Sequence, residues 1–127
     1  MRFVLKHIKL LTWLYLLLLV LLSVLPINSG VTLNNTYVVE LRLDYLIHAL
    51  VLLPLPVFLT LSLGDRSGFW IWVISFCLLI VLFTEGIQML LPYRTFNIND
   101  LLGNGAGALV GLIPAVYVKW RMSAYIW

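Results

Sequence analysis

Thr84-Glu85-Gly86-Ile87-Gln88-Met89-Leu90-Leu91-Pro92-Tyr93-Arg94-Thr95-Phe96-Asn97-Ile98-Asn99-Asp100-Leu101-Leu102-Gly103-Asn104-Gly105-Ala106-Gly107 is the stretch on which the fold and the function both turn. Between positions 85 and 104 it gathers Glu85, Gln88, Arg94, Asp100 and Asn104, in a chain otherwise built from Leu, Val, Ile and aromatics. Apolar runs long enough to span a bilayer lie on both sides of it. Ionisable groups at the edge of hydrocarbon are expensive and mark functional sites by default.

Composition supports that placement. Hydrophobic residues make up 63% of the 127, charged residues 10%, and the mean hydropathy is +1.07. A soluble domain of this size needs far more polar surface, so the chain reads as an all-α integral membrane protein, a single transmembrane domain over 1–127. The net charge of +3 is not a nucleic-acid signal, because the basic residues stand at the ends of apolar runs, as membrane topology requires. The lone Cys77 excludes an internal disulfide and reads as a lipid-facing or packing residue.

Four spans follow, at about 8–26, 43–63, 69–91 and 100–118. The first can cross about 27 Å of hydrocarbon. Arg2, Lys6 and Lys9 around its start place the N-terminus in the cytoplasm. A cleaved signal peptide also begins with a basic region, but the apolar core here is long and no small-residue cleavage site follows, so the helix is read as retained. Positions 27–41 are polar and form an outer loop, in which 38–43 alternate as a short strand or an interfacial segment. Pro54 and Pro56 remove two backbone donors from the second span and predict a kink. Gly64-Asp65-Arg66-Ser67-Gly68 predicts a tight turn into the third span, where Trp70 and Trp72 suit an interfacial belt. Arg2, Lys6, Lys9, Arg66, Lys119 and Arg121 then lie on the cytoplasmic side, and only Arg42 and Arg94 outside. That bias predicts a four-helix bundle with both termini in the cytoplasm.

The topology brings the polar residues to one leaflet. Asp44 and His48 open the second span, Glu85 and Gln88 close the third, and Asp100 and Asn104 open the fourth. Asp44 with His48 and Asp100 with Asn104 are i, i+4 pairs and Glu85 with Gln88 is i, i+3, so each pair shares a helix face. Asp100 is expected to cap the fourth helix. Glu85 lies about two turns inside the membrane edge, and Arg94 or His48 is expected to partner it, because a buried bare carboxylate is too costly. A structural ion pair and a functional role are both open for Glu85 and Arg94. Gly103, Gly107 and Gly111 form a small-xxx-small stripe, read as helix packing. With no second outward His beside His48, no metal is expected. No acyl-transfer elbow, phosphate loop, CxxC or dinucleotide fingerprint occurs, and no cofactor is expected.

Taken together, Glu85-x-x-Gln88, Pro92-x-Arg94-x-Phe96 and Asp100-Leu101-x-x-Asn104-x-x-Gly107 resemble the signature block of the VanZ-like family of small bacterial membrane proteins. Asp44-x-x-x-His48 is similar to that family's Asp-Lys-x-x-His segment, with Tyr45 where Lys is usual, and Asn97 and Asn99 stand where acidic residues are common. The resemblance covers about 43–112. It implies a multi-pass protein of the bacterial cytoplasmic membrane, and its founding member is associated with low-level resistance to teicoplanin, a lipid-tailed glycopeptide antibiotic. No established reaction comes with it.

Three functions compete. The first is an outward site, made by Asp44, His48, Glu85, Gln88, Arg94, Asp100 and Asn104, that binds an amphiphile: a lipoglycopeptide, a lipid-linked envelope precursor or a phospholipid. In that reading Arg42 and Arg94 hold phosphate or carboxylate. The second is a lipid-modifying enzyme with Glu85, His48 and Asp100 as acid-base groups. The third, a small transporter or flippase, is weakened by a nearly apolar inner half. Membrane lipids are the expected partners, nucleic acid is not, and self-association is compatible with all three.

Overall fold

The computed structural model describes residues 2–25, 37–38, 41–64, 67–94 and 96–125. Five helices make up most of it: α1 (Arg2–Val24), α2 (Leu43–Leu52), α3 (Leu55–Leu63), α4 (Phe69–Gly86) and α5 (Ile98–Tyr125). A 3-10 turn (Ile87–Leu90) continues α4. Strands β1 (Tyr37–Val38) and β2 (Leu41–Arg42) pair antiparallel, Tyr37 opposite Arg42 and Val38 opposite Leu41, which gives the alternating stretch before α2 a two-residue ladder. The remainder of the expected outer loop, 27–36 and 39–40, lies outside the described residues, as do 65 and 66 of the expected turn at 64–68.

Four helical stretches are long and apolar enough to cross a membrane: His7–Val24, Leu43–Leu63, Phe69–Leu90 and Ile98–Ala124. The second is α2 and α3 in series. Pro54 and Pro56 do more than kink it. With two donors missing, the helix breaks at 53–54, and Leu53 N–H donates to the Ala49 carbonyl while Phe58 N–H donates to Pro54. A carbonyl freed in hydrocarbon needs another donor. The Tyr15 hydroxyl of α1 donates to the Val51 carbonyl at 2.5 Å, and its ring stacks on Phe58 at 4.8 Å.

Each span buries one stripe and turns the rest of its apolar surface outward, as a helix in lipid can. In α1 the stripe is Ile8, Thr12, Leu19 and Ser23, while Trp13, Leu14, Leu17 and Leu21 are exposed. In α4 it is Phe69, Val73, Cys77, Val81 and Glu85, four residues apart throughout. Cys77 therefore packs inside the bundle. The half of the bundle nearer Gly64 also holds hydroxyls that hydropathy does not single out: Thr12 Oγ1 and the half-buried Ser62 Oγ lie 2.5 Å apart, tying α1 to α3, and Thr60 is wholly buried.

The tightest packing is between α5 and the α2–α3 pair. Along the α5 stripe, a Cβ at Gly103 would meet the Tyr45 carbonyl oxygen at 3.0 Å, one at Gly107 would meet Ala49 Cα at 2.7 Å, and one at Gly111 would come within 3.0 Å of Pro56 Cδ. Increasing numbers on α5 meet increasing numbers on α2 and α3, so the two spans run parallel and start at the same end. At the opposite end Gly64 and Gly68 adopt φ of +65° and +67°, a backbone that other residues adopt only with strain. There Lys119 donates to the Gly64 carbonyl at 3.3 Å and lies over the Phe69 ring.

Candidate polar site at one end of the bundle

Three spans deliver the polar groups, and a change of backbone conformation positions each. Asp44 and His48 lie in the first turns of α2. Glu85 comes from the last turn of α4, just before the helix tightens into the 3-10 turn that carries the buried Gln88. Leu91 is extended at φ −105°, ψ 119°, the conformation that a following proline favours, so Pro92 ends the span. The chain then re-enters at α5 with Asp100 in its first turn and Asn104 one turn further in.

The start of α5 corrects one expectation. The helix begins at Ile98, not at Asp100, and Asn97 is its cap. Asn97 Oδ1 accepts from the Asn99 N–H at 3.0 Å, and its carbonyl accepts from the N–H groups of Asp100 and Leu101 at 3.1 and 3.2 Å. Both residue types cap well. Starting one turn earlier lets Asp100 complement the helix dipole from within the first turn while its side chain faces α2.

Asn104 is the centre of the site. Its Nδ2 donates to Glu85 Oε1 at 2.7 Å, and its Oδ1 lies 3.2 Å from His48 Nδ1. With Glu85 ionised, the amide presents its nitrogen to Glu85 and its oxygen to His48, and the His48 tautomer that fits donates from Nδ1. His48 Nε2 then faces Asp100 Oδ2 at 3.8 Å, and Nδ1 is 3.9 Å from Glu85 Oε1. Burial grades outward: the Glu85 side chain is 1% exposed, that of Asp100 15% and that of His48 31%. Asp44 is half-buried one turn before His48.

Glu85 Oε1 is satisfied, but its Oε2 is buried with no hydrogen-bond partner. A buried acceptor in that position is uncommon and costly.

Arg94 does not partner Glu85. Its terminal nitrogen donates to the carbonyls of Leu22 and Leu25, at 3.3 and 2.6 Å, and the neighbouring Tyr93 hydroxyl donates to Val24 at 2.9 Å. The last carbonyls of a helix have no intrahelical donors, and a cation there suits the dipole. The loop after α4 is thereby clamped to the end of α1. Sequence reading missed this role for Tyr93 and Arg94. Its only signal is an aromatic–cation pair facing the end of the first span. The side chain of Arg42 lies outside those described.

One turn below the polar groups an apolar groove of about 240 Å³ runs between α4 and α5, lined by Ile74, Cys77, Val81, Gly105, Ala108 and Leu112 among others. Val81 precedes Glu85, and Ala108 follows Asn104, by one helical turn each, so groove and polar pair occupy the same two helix faces. Among the described residues no three His, Cys, Asp or Glu side chains come together as a metal-ligating group.

No match to the chain is found among curated proteins or among solved structures. The family comparison is positive and covers most of the chain, reaching into all four apolar spans and including the polar groups between them. With a family model matching residues 12–119, this multi-pass membrane protein belongs to the VanZ/LLP1 family.

Proposed function

We propose that the protein binds an amphiphile at the outer leaflet of the bacterial cytoplasmic membrane and thereby contributes to tolerance of teicoplanin-type glycopeptides. The termini are cytoplasmic in this reading, following the excess of Lys and Arg at the ends that would lie inside. One observation carries it: a buried Glu85–Asn104 pair, joined to the half-exposed His48 at one end of the bundle, lies one helical turn from an apolar groove on the same faces of α4 and α5. A polar head and an apolar tail need that adjacency. The ligand is a lipoglycopeptide, a lipid-linked envelope precursor or a membrane lipid, and tolerance follows from keeping the drug from its target.

The test is expression in a teicoplanin-sensitive bacterium. Wild-type protein is expected to raise tolerance, and Glu85→Gln or Asn104→Leu, present at equal level in the membrane, to abolish the gain. Equal tolerance in wild type and both variants would sink the site-based reading.

A second reading, a lipid-modifying enzyme, draws on the placement of His48 Nε2 beside Asp100, since a half-exposed imidazole next to a carboxylate suits proton transfer. Incubation of purified protein with envelope lipids should then change their masses, and no change across a broad panel would count against it.

A further inference from the structure

We propose that the amphiphile is a lipid with a primary ammonium head, which donates to Glu85 Oε2, and that its acyl chain lies in the groove between α4 and α5. The proposal rests on the amphiphile-binding reading above and names the class of head.

It starts from the donors and acceptors. Glu85 is almost wholly buried, and its Oε2 lacks a hydrogen-bond partner while Oε1 is engaged. Three of the described donors nearby are already committed. Asn104 Nδ2 donates to Oε1, His48 Nδ1 faces Asn104 Oδ1, and the terminal Arg94 nitrogen is turned to the carbonyls of α1. A ligand that completes this site must bring a donor.

Charge selects the kind of donor. Among the described side chains at this end, the carboxylates are Asp44, Glu85 and Asp100, and the cations are Arg94 and, when protonated, His48. With the three carboxylates ionised, these groups sum to a negative charge whether or not His48 is protonated; the Arg42 side chain, at the same end, is not among them. A hydroxyl would donate without changing it, and a phosphate would worsen it. An ammonium supplies three donors, no acceptor and one positive charge. The phosphate of a zwitterionic lipid has its own candidate in Arg94 Nε, which is buried without a hydrogen-bond partner.

The groove fixes the tail. It begins one helical turn from Glu85 and Asn104, at Val81 on α4 and Ala108 on α5, and runs on past Cys77 and Leu112. A Cβ added at Gly105 would meet nothing within 4 Å, so this wall is open where a chain would lie.

The experiment is native mass spectrometry of the detergent-purified full chain, titrated with phosphatidylethanolamine, N-acetylated phosphatidylethanolamine and phosphatidylglycerol. Phosphatidylethanolamine should be retained about tenfold or more over the other two, the factor expected for a hydrogen bond to a buried charge. Glu85→Gln keeps the acceptor for Asn104 but points an amide at the ligand, and should bring the three lipids within about twofold of one another. Gly105→Leu fills the groove and should weaken all three alike. Thermal melts confirm that both variants are folded. Equal retention of acetylated and free amine by wild type overturns the ammonium assignment. If Gly105→Leu still weakens every lipid in that case, amphiphile binding stands without head selection. If neither variant alters any lipid, the amphiphile reading falls as well.

Discussion

The Glu85–Asn104 hydrogen bond can be measured by a double-mutant cycle. The two side chains are 1% exposed each, approach to 2.7 Å, and join α4 to α5 across a site with few other polar donors. Neutral hydrogen bonds between membrane helices average about 0.6 kcal/mol and reach about 1.7. A charged acceptor roughly doubles such a bond, so a coupling of about 1.5–3 kcal/mol is expected between Glu85→Leu and Asn104→Leu. The asymmetry is as informative as the size. Asn104→Leu alone strands a buried carboxylate and should be the most destabilising of the set, while adding Glu85→Leu should restore much of the loss. Glu85→Gln keeps the acceptor without the charge and should reduce the coupling to the neutral range. Reversible unfolding of the four proteins in bicelles, followed by steric trapping or by denaturant, provides the free energies. A coupling below about 0.5 kcal/mol, the ordinary scatter of independent sites, would refute the claim that this pair holds α4 to α5.

Three further outcomes follow from the same geometry. Gly107→Leu drives a side chain into the Ala49 backbone and should cost at least about 1–3 kcal/mol, whereas Gly105→Ala, which meets nothing, should stabilise α5 by about 0.5–1 kcal/mol; the same unfolding assay separates them, and equal effects would contradict the packing of α5 on α2. Asn97→Ala should lose the cap of α5 and about 0.5–2 kcal/mol, with Asp100→Ala costing less by this route; the reverse order would restore Asp100 as the cap. In a Cys77→Ala background, a thiol at Phe96 should react with an impermeant maleimide in intact cells and one at Ser67 only after permeabilisation, and the opposite pattern would invert the proposed orientation.

Much of the fold was legible because a lipid-spanning helix announces itself by length and hydropathy. The spans at 43–63 and 69–91 lie within a residue of what the structure shows, and the break in the second was marked by Pro54 and Pro56. The edge of α5 was harder. Asn97 and Asp100 are both good caps, and local sequence does not say which of them a helix will use. The site was legible as a neighbourhood but not as a bonding pattern. Spacing puts Asp44, His48, Glu85, Asp100 and Asn104 at one end, yet whether Glu85 meets Arg94 or Asn104 depends on how deeply α5 sits against its neighbours. The destination of Arg94 was illegible for a related reason: its partners are the carbonyls of Leu22 and Leu25, and every residue carries a carbonyl. What makes these two special is only that the helix ends there.

The glycine stripe and the polar network are one device. Gly103 lies within one turn of Asn104, and the Cβ it lacks would fall 3.4 Å from His48 Cβ and 3.0 Å from the Tyr45 carbonyl oxygen. Close approach of α5 to α2 is thus what puts Asn104 Oδ1 within 3.2 Å of His48. Were α5 held off by larger residues, Asn104 would lose His48 first, and the proton on Nδ1 would no longer be directed. In lipid there is no hydrophobic force to close that gap, so close packing and hydrogen bonds must do it together. Gly103→Val should therefore disturb the site before it unfolds the bundle. The imidazole nitrogen chemical shifts of His48 are the readout, since they report tautomer and protonation directly. If they matched wild type while Gly103→Val lowered stability, the stripe would serve packing alone, and the polar network would owe its geometry to the α4–α5 contact instead.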